Sequence, residues 1–433
     1  MDNPSAERNV FWNQNFRLVF FGALVSELGA VLYSFAVSFY ILEISENNAF
    51  LQGLYLSLCG VMLLIFTPIG GVLGDRFHKG RIMFLCDYLK GGLILLATLA
   101  MLVFPAPRAH ILLLFAVGLL GNAVSGIFNP ASGALLPHIV AEHKLQQATA
   151  YFSVKSATLN ILGVVLAGVL YAVIPIHLLF FIVGLCYVLS GVSEMFIRYR
   201  HVNREERLTV RLALTDMRDG LVYLKAQKAI LALMAAILFI NFFTSPIFGN
   251  FVPYFIKTDV AAAPSYLFDG LLTPELWFSV FSVLVGASSL VGSVIISTRK
   301  QAEKCGRRTA RLLCVMAGLM VLLTLSYWLL VRRGLSLNAF LLLFSLSCLG
   351  VGFLVVHINI PFNTVLMRIV EKDKLSKVTS IISLFAQGLT PIASVLAGAV
   401  LQYFGSTPLL VACSVGFTVT ALSLLFNKAT QSI

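Results

Sequence analysis

Twelve long apolar runs occupy most of this 433-residue sequence, and each is long enough to cross a lipid bilayer. A membrane-spanning helix needs about 20 mostly apolar residues, whereas a spanning strand shows only about ten residues of alternating polarity. The runs show no such alternation, so they predict helices. The predicted spans are 16–42, 50–73, 82–104, 110–136, 146–173, 177–197, 229–256, 276–298, 309–331, 336–366, 375–404 and 407–427.

The overall composition agrees with these runs. Apolar residues make up 59% of the chain and charged residues only 12%, whereas soluble proteins carry roughly 25% charged residues. A water-soluble fold of this composition would expose large apolar patches and aggregate. We therefore expect an all-α polytopic membrane protein with 12 transmembrane helices. The seven cysteines show no metal-ligand spacing, and we expect no metal or other cofactor.

The net charge of +12 has two readings. In a soluble protein it would suggest nucleic acid as a partner, but in a membrane protein Lys and Arg collect in cytoplasmic loops. Twelve spans put both termini on one side, and nearly all cations outside the spans fall on that side. We therefore expect cytoplasmic termini, no nucleic-acid partner and a lipid bilayer around the chain. Four cations fall on the opposite side, namely Arg108, Lys257, Arg332 and Arg333.

The longest charged stretch divides the spans six and six. We predict an N-terminal six-helix bundle in 1–197, a cytoplasmic linker with an amphipathic helix in 198–228, and a C-terminal six-helix bundle in 229–433. The linker helix fits either the inner membrane surface or a solvated position. Its apolar residues recur at helical spacing, namely Leu214, Met217, Leu221 and Leu224.

An internal repeat relates the two halves. Asn129–Gly168 aligns with Asn359–Gly398 at an offset of 230 residues, and thirteen of the forty positions are identical. The identities cross a polar turn, where solubility in lipid does not force a match. Pseudo-symmetric six-helix repeats with a binding site between them are an architecture of secondary transporters.

The most specific local motif lies between spans 2 and 3 and extends from Gly70 to Arg81 as GGVLGDRFHKGR. It resembles the signature loop of the major facilitator superfamily. Its continuation, Asp87-Tyr88-Leu89-Lys90, resembles the macrolide-efflux-type drug:proton antiporters of that superfamily. This resemblance implies that the loop is a conformational gate that latches the two halves. The gate residues would be Gly71, Gly74, Asp75, Arg76, Lys79 and Arg81.

Several charged residues fall inside the predicted spans, where a charge costs roughly 2.5–3.5 kcal/mol. Glu27 lies about 16 Å into span 1 at 1.5 Å per residue, and Lys155 lies at similar depth in span 5. In the superfamily these two helices are neighbours. We hypothesise that Glu27 binds a proton or a cationic substrate group, with Lys155 as its partner; a purely structural ion pair is the alternative. Asp87 and Lys90 are expected to form a structural charge pair.

The resemblance also implies that helices 1, 4, 7 and 10 line a central cavity. Polar residues on spans 4, 7 and 10 are therefore candidates for coupling or substrate binding, although hydrogen bonding between helices is the alternative for each. These candidates are Asn122, Asn129, Asn241, His357 and Asn359.

Together these features predict a monomeric secondary active transporter of a bacterial cytoplasmic membrane. By alternating access it would export amphipathic or lipophilic small molecules such as drugs, with protons as the coupling ion. A lysophospholipid or other lipid flippase and an exporter of siderophore-like metabolites are the alternatives. A membrane acyltransferase with His357 as base is a remote one, and we expect no enzyme activity. The sequence contains no Walker motif for an ATP-driven pump.

Overall fold

A computed structural model of the protein describes residues 10–198, 228–297, 306–332, 334–369 and 386–426. Nearly all of these residues are helical, and none of them lies in a β-strand. The predicted linker helix in 198–228 falls outside the described residues except at its two ends.

The helices follow the predicted spans closely. Eleven of them are long and apolar enough to cross a membrane, and the twelfth contains a helix of 15 residues, Thr390–Phe404. The predicted fold class is therefore confirmed. The helices are α1 (Gln14–Ile44), α2 (Ala49–Arg76), α3 (Lys79–Val103), α4 (Pro107–Ile139), α5 (Leu145–Thr158, continued by Val164–Val173), α6 (Ile176–Met195), α7 (Lys228–Pro246, continued by Val252–Phe255), α8 (Leu276–Ser297), α9 (Gly306–Val331), α10 (Leu337–Ile369), α11 (Thr390–Phe404) and α12 (Ser406–Phe426).

The internal repeat is visible in the starts of two helices. α4 begins at Pro107 and α10 begins at Leu337. The two starts lie 230 residues apart, which is the offset of the sequence repeat.

Two helices contain wider π-helical turns. In α5 the turn is Leu159–Gly163, and α7 contains Ile247–Phe251 and Ile256–Val260. A π-turn adds one residue to a helical turn, and such turns occur frequently at functional sites. The turn in α5 begins four residues after Lys155, so it lies directly beside a candidate residue.

The described residues form two compact units. The first contains α1 up to Val37 and the chain from Cys59 to the end of α6. Its apolar core lies at the end of the unit that carries the loop between α2 and α3. The core includes Val10, Phe16, Met83, Ala131, Leu135, Ala148 and Ile197.

The second unit contains Ser38–Leu58 together with α7 to α12. Its core is aromatic and is linked by ring contacts among Phe251, Phe255, Phe281, Tyr327, Phe340 and Phe344. The sequence-based division at 198–228 follows the order of the helices. Ser38–Leu58 nevertheless belongs to the second unit by packing. This segment contains the end of α1, which contacts α7 through Glu43, and the start of α2, which contacts α11 through Gly53.

Candidate functional site

Glu27 of α1 and Lys155 of α5 form an ion pair inside the first unit, between Lys155 Nζ and Glu27 Oε2. The contact predicted from their depths is therefore present. The two side chains differ in burial: that of Lys155 is 6% exposed, whereas that of Glu27 is 39% exposed. The side chain of Glu27 is thus partly exposed, while the ammonium group of Lys155 is enclosed.

Neighbouring groups on α5 hold this pair in place. Ser156 Oγ donates a hydrogen bond of 3.2 Å to Glu27 Oε1. Lys155 Nζ lies 4.8 Å from the centre of the Phe152 ring, within the range of a cation–π interaction. Neither Ser156 nor Phe152 was predicted from the sequence. Phe152 had a readable signal, because it lies three residues before Lys155 and so on the same helical face.

The signature loop connects α2 to α3. The exposed Arg76 ends α2, and His78 caps α3 by accepting a hydrogen bond of 3.4 Å from the Arg81 backbone N–H. Lys79 is buried at the start of α3, whereas Arg81 is exposed. The side chain of Asp75 lies outside the described residues, so its role in a gate stays a prediction.

The glycines before this loop divide between two faces of α2. A Cβ atom added to Gly70 would lie 2.5 Å from Ile127 Cα, and one added to Gly74 would lie 3.5 Å from Ala131 Cα. Gly71 has no described atom within 4 Å of such a Cβ. Residues four apart share a helical face, so Gly70 and Gly74 pack against α4. Gly70, which was not a candidate, allows the close approach of α2 to α4.

Asp87 and Lys90 are both buried on α3, but in the described part of the chain they form no direct ion pair. Lys90 Nζ lies over the rings of Phe128 and Tyr187, 5.3 and 5.2 Å from their centres. The predicted pair is instead a cluster of three, because the buried Glu194 of α6 also interacts electrostatically with Lys90.

The remaining candidates lie on α4, α7 and α10. Asn122 Nδ2 donates a hydrogen bond of 2.8 Å to Gly118 O of its own helix. Asn241 is half-buried on α7. Asn129 and Asn359 are both exposed and occupy equivalent positions of the repeat.

His357 is 4% exposed, and its Nδ1 lies 2.9 Å from Phe353 O, one turn earlier on α10. Its ring stacks on the Phe353 ring with centres 4.2 Å apart, and its edge faces Gly292 of α8. These contacts describe a packing residue between two helices rather than a general base.

A second ion-pair cluster lies in the second unit and was not predicted from the sequence. Lys257 Nζ binds Glu43 Oε2 at 3.1 Å and Glu275 Oε1 at 2.9 Å. It thereby ties the end of α1 to α7 and to the start of α8. The sequence contains little indication of this cluster, because Lys257 stands out only as one of four cations on the predicted outer side.

Long apolar helices with an ion pair between two of them are typical of a polytopic membrane transporter. The sequence model of the Major Facilitator Superfamily matches residues 19–394, so the chain belongs to that superfamily. It is accordingly a transporter and not an enzyme, and the acyltransferase alternative is withdrawn.

Individual relatives are distant. The chain is 25% identical over 304 residues to the MFS-type transporter YkuC of Bacillus subtilis (strain 168), a match that covers 66% of this chain and 65% of the relative. It is 23% identical over 273 residues to macrolide efflux protein A of Streptococcus pyogenes, covering 60% of this chain and 66% of the relative. Among solved structures it resembles a bacterial homologue of the iron transporter ferroportin in the inward-facing state, with a TM-score of 0.68, 16% identity and coverage of 97% of this chain and 100% of that chain. This last likeness concerns the fold alone.

Proposed function

We propose that the protein exports amphipathic or lipophilic small molecules by alternating access and that protons drive the export. The observation that carries the proposal is the ion pair between Glu27 and Lys155. A charged residue inside a membrane-spanning helix is a functional candidate by default. The similarity to macrolide efflux protein A supports an apolar, drug-like substrate class.

The ion pair provides a means of coupling. Lys155 is enclosed and has Glu27 as its counter-ion. When a proton neutralises the carboxylate, the buried ammonium group loses that counter-ion, and an unpaired buried charge is unfavourable by several kcal/mol. Protonation of Glu27 therefore favours a rearrangement of α1 against α5. A cationic group on the substrate competes with Lys155 for the same carboxylate and has the same effect.

We further propose that the transporter is a monomer in a bacterial cytoplasmic membrane with both termini in the cytoplasm. The distribution of Lys and Arg between the two sides supports this orientation. Under this topology the loop between α2 and α3 faces the cytoplasm, and Lys257 lies near the outer surface.

The test is transport in proteoliposomes with an imposed pH gradient, using a macrolide, a cationic dye and a fluorescent lysolipid as probes. We expect gradient-driven movement of the macrolide or the dye by the wild-type protein. We expect Glu27→Gln to reduce that movement to background, because the amide cannot exchange a proton. Movement of the lysolipid alone would favour the flippase alternative.

The matched control is Glu46→Gln. Glu46 is an exposed carboxylate in the turn between α1 and α2, so this variant makes the same chemical change outside the membrane. It should transport like the wild type. Full gradient-driven transport by Glu27→Gln at every pH would refute the assigned role of this carboxylate.

A further inference from the structure

Three buried charged residues face one another across α3 and α6, away from the pair of Glu27 and Lys155. Asp87 is 0% exposed, Glu194 1% and Lys90 8%. Lys90 interacts electrostatically with both carboxyl groups. Two carboxylates and one ammonium group carry a net charge of −1, and this charge lies in a region from which bulk water is excluded.

The structure offers these carboxyl groups little short-range compensation from the described residues. None of the four oxygen atoms of Asp87 and Glu194 accepts a hydrogen bond of good geometry. The Ser190 hydroxyl lies close enough to Asp87 to stabilise its carboxylate, but the pair does not reach full hydrogen-bond geometry. Lys90 Nζ directs its charge at the rings of Phe128 and Tyr187. A buried ionised carboxylate without partners is strongly unfavourable and normally becomes protonated.

An open cavity of about 580 Å³ leads to this cluster. Glu194 forms part of its wall, and His78, Arg81 and Arg198 line it at the end of the bundle that carries the signature loop. A metal cation would meet these basic groups and the ammonium group of Lys90. A proton needs no coordination shell, so the chemistry of the lining favours a proton as the ligand.

Neighbouring helices place few other charges around the cluster. α1 approaches Glu194 at Gly22, which has no side chain to titrate, and α4 contributes the Phe128 ring. Titratable or charged groups on the facing elements include Cys86, Tyr88, Cys186, Tyr187, His78, Arg81 and Arg198. Among the described groups, Asp87 and Glu194 are thus the acidic members and Lys90 the enclosed cation.

We propose that Asp87 and Glu194 form a second proton-binding site, which holds one exchangeable proton between the two carboxyl groups and is loaded through this cavity. Lys90 balances one negative charge, and the proton neutralises the other. The site is separate from the ion pair of Glu27 and Lys155, and the proposal does not depend on proton-driven export. Under the proposed topology it takes its proton from the cytoplasm.

The test is infrared difference spectroscopy of the purified full-length protein as the pH is raised. A protonated carboxyl group gives a carbonyl stretching band that disappears when the proton leaves. We expect this band in the wild type and its loss in Glu194→Gln or Asp87→Asn. Glu46→Gln is the matched control and should keep the band. If both cluster variants retain the wild-type band, the proposal is overturned.

Replacement of the cation distinguishes proton binding from a merely structural role. In Lys90→Met the charge of the second carboxylate is no longer balanced, so both groups should bind a proton and the band should roughly double. An unchanged band in this variant would contradict the proposed charge balance.

The wild-type protein offers a test that does not require any variant to fold. Dicyclohexylcarbodiimide enters apolar regions and reacts with protonated carboxyl groups, and peptide mass spectrometry identifies the modified residue. We expect modification of Asp87 or Glu194 that declines as the pH rises, and absence of modification at both positions at every pH would overturn the proposal. Glu27→Gln should leave this signal intact, so failure of the transport proposal and failure of this one are distinguishable.

Discussion

The two partners of the ion pair between α1 and α5 are unequally buried, and this difference decides which substitution destabilises the protein. Lys155 is 6% exposed and Glu27 39% exposed at the side chain. A charge that loses its partner in an enclosed position is far more unfavourable than one that stays in contact with solvent. The cost of breaking the pair should therefore depend on which member is removed.

We predict that Glu27→Gln lowers the free energy of unfolding by about 1–3 kcal/mol, because it leaves the enclosed Lys155 unpaired. Lys155→Met should cost less than about 1 kcal/mol, because the side chain of Glu27 is only partly enclosed. The double variant Glu27→Gln/Lys155→Met should recover most of the loss. Thermal unfolding of the three variants in one detergent measures the effect, and equal destabilisation by both single substitutions would contradict it.

Lys257 pairs with two carboxylates that also differ in burial, Glu43 and Glu275. The side chain of Glu43 is 54% exposed, whereas that of Glu275 is 15% exposed. We predict that Glu275→Gln lowers the free energy of unfolding by about 1–3 kcal/mol and Glu43→Gln by less than about 1 kcal/mol. Thermal unfolding again provides the measurement, and the reverse order would show that the exposed pair is the stronger one.

At the scale of helices, α2 and α11 cross with almost no space between their backbones. A Cβ atom added to Gly53 would lie 2.9 Å from Gly398 Cα and would overlap Ser394 O. Small residues permit such close packing of membrane helices, which gains dispersion energy and interhelical contacts. The crossing depends on the absence of a side chain at Gly53.

We predict that Gly53→Val separates these helices and lowers the thermal unfolding midpoint strongly, because the neighbouring atoms are backbone and cannot move aside. Gly92→Ala on α3 is the control, because a Cβ there has no described atom within 4 Å. It should be neutral or should stabilise the protein by up to about 1 kcal/mol through higher helix propensity. A Gly53→Val protein with wild-type stability would show that the crossing is wider than described.

Sequence could predict the helices because a bilayer imposes a minimum apolar length on each span. It also led to Glu27 and Lys155, since depth follows from helical rise and the resemblance placed their helices side by side. Sequence could not bring Glu194 to Asp87, because spacing along one helix does not specify its neighbour. The π-turns were equally unreadable, since one inserted residue barely changes an apolar pattern. The crossing at Gly53 was not predictable either, because the sequence does not show which helix packs against that glycine.

At the scale of the whole molecule, the orientation in the membrane can be tested directly. The turn after α3 and the turn after α2 should lie on opposite sides, and each contains an exposed residue, Pro105 and Phe77. We predict that a membrane-impermeant maleimide added to intact cells labels Pro105→Cys but not Phe77→Cys. Permeabilised cells should show labelling of both, with unsubstituted protein as the background. Labelling of Phe77→Cys alone in intact cells would invert the topology.

The sequence repeat that aligns Asn129–Gly168 with Asn359–Gly398 also has an evolutionary consequence. If it arose by duplication, the chemistry that follows α4 was not preserved, because the position equivalent to Lys155 is Phe385. One copy thus carries a cation at this position, whereas the other carries an aromatic residue. The helices are repeated in both halves, but the charged residue is present in only one. An ancestor assembled from two identical copies would have carried this position in duplicate, either with two cations or with none.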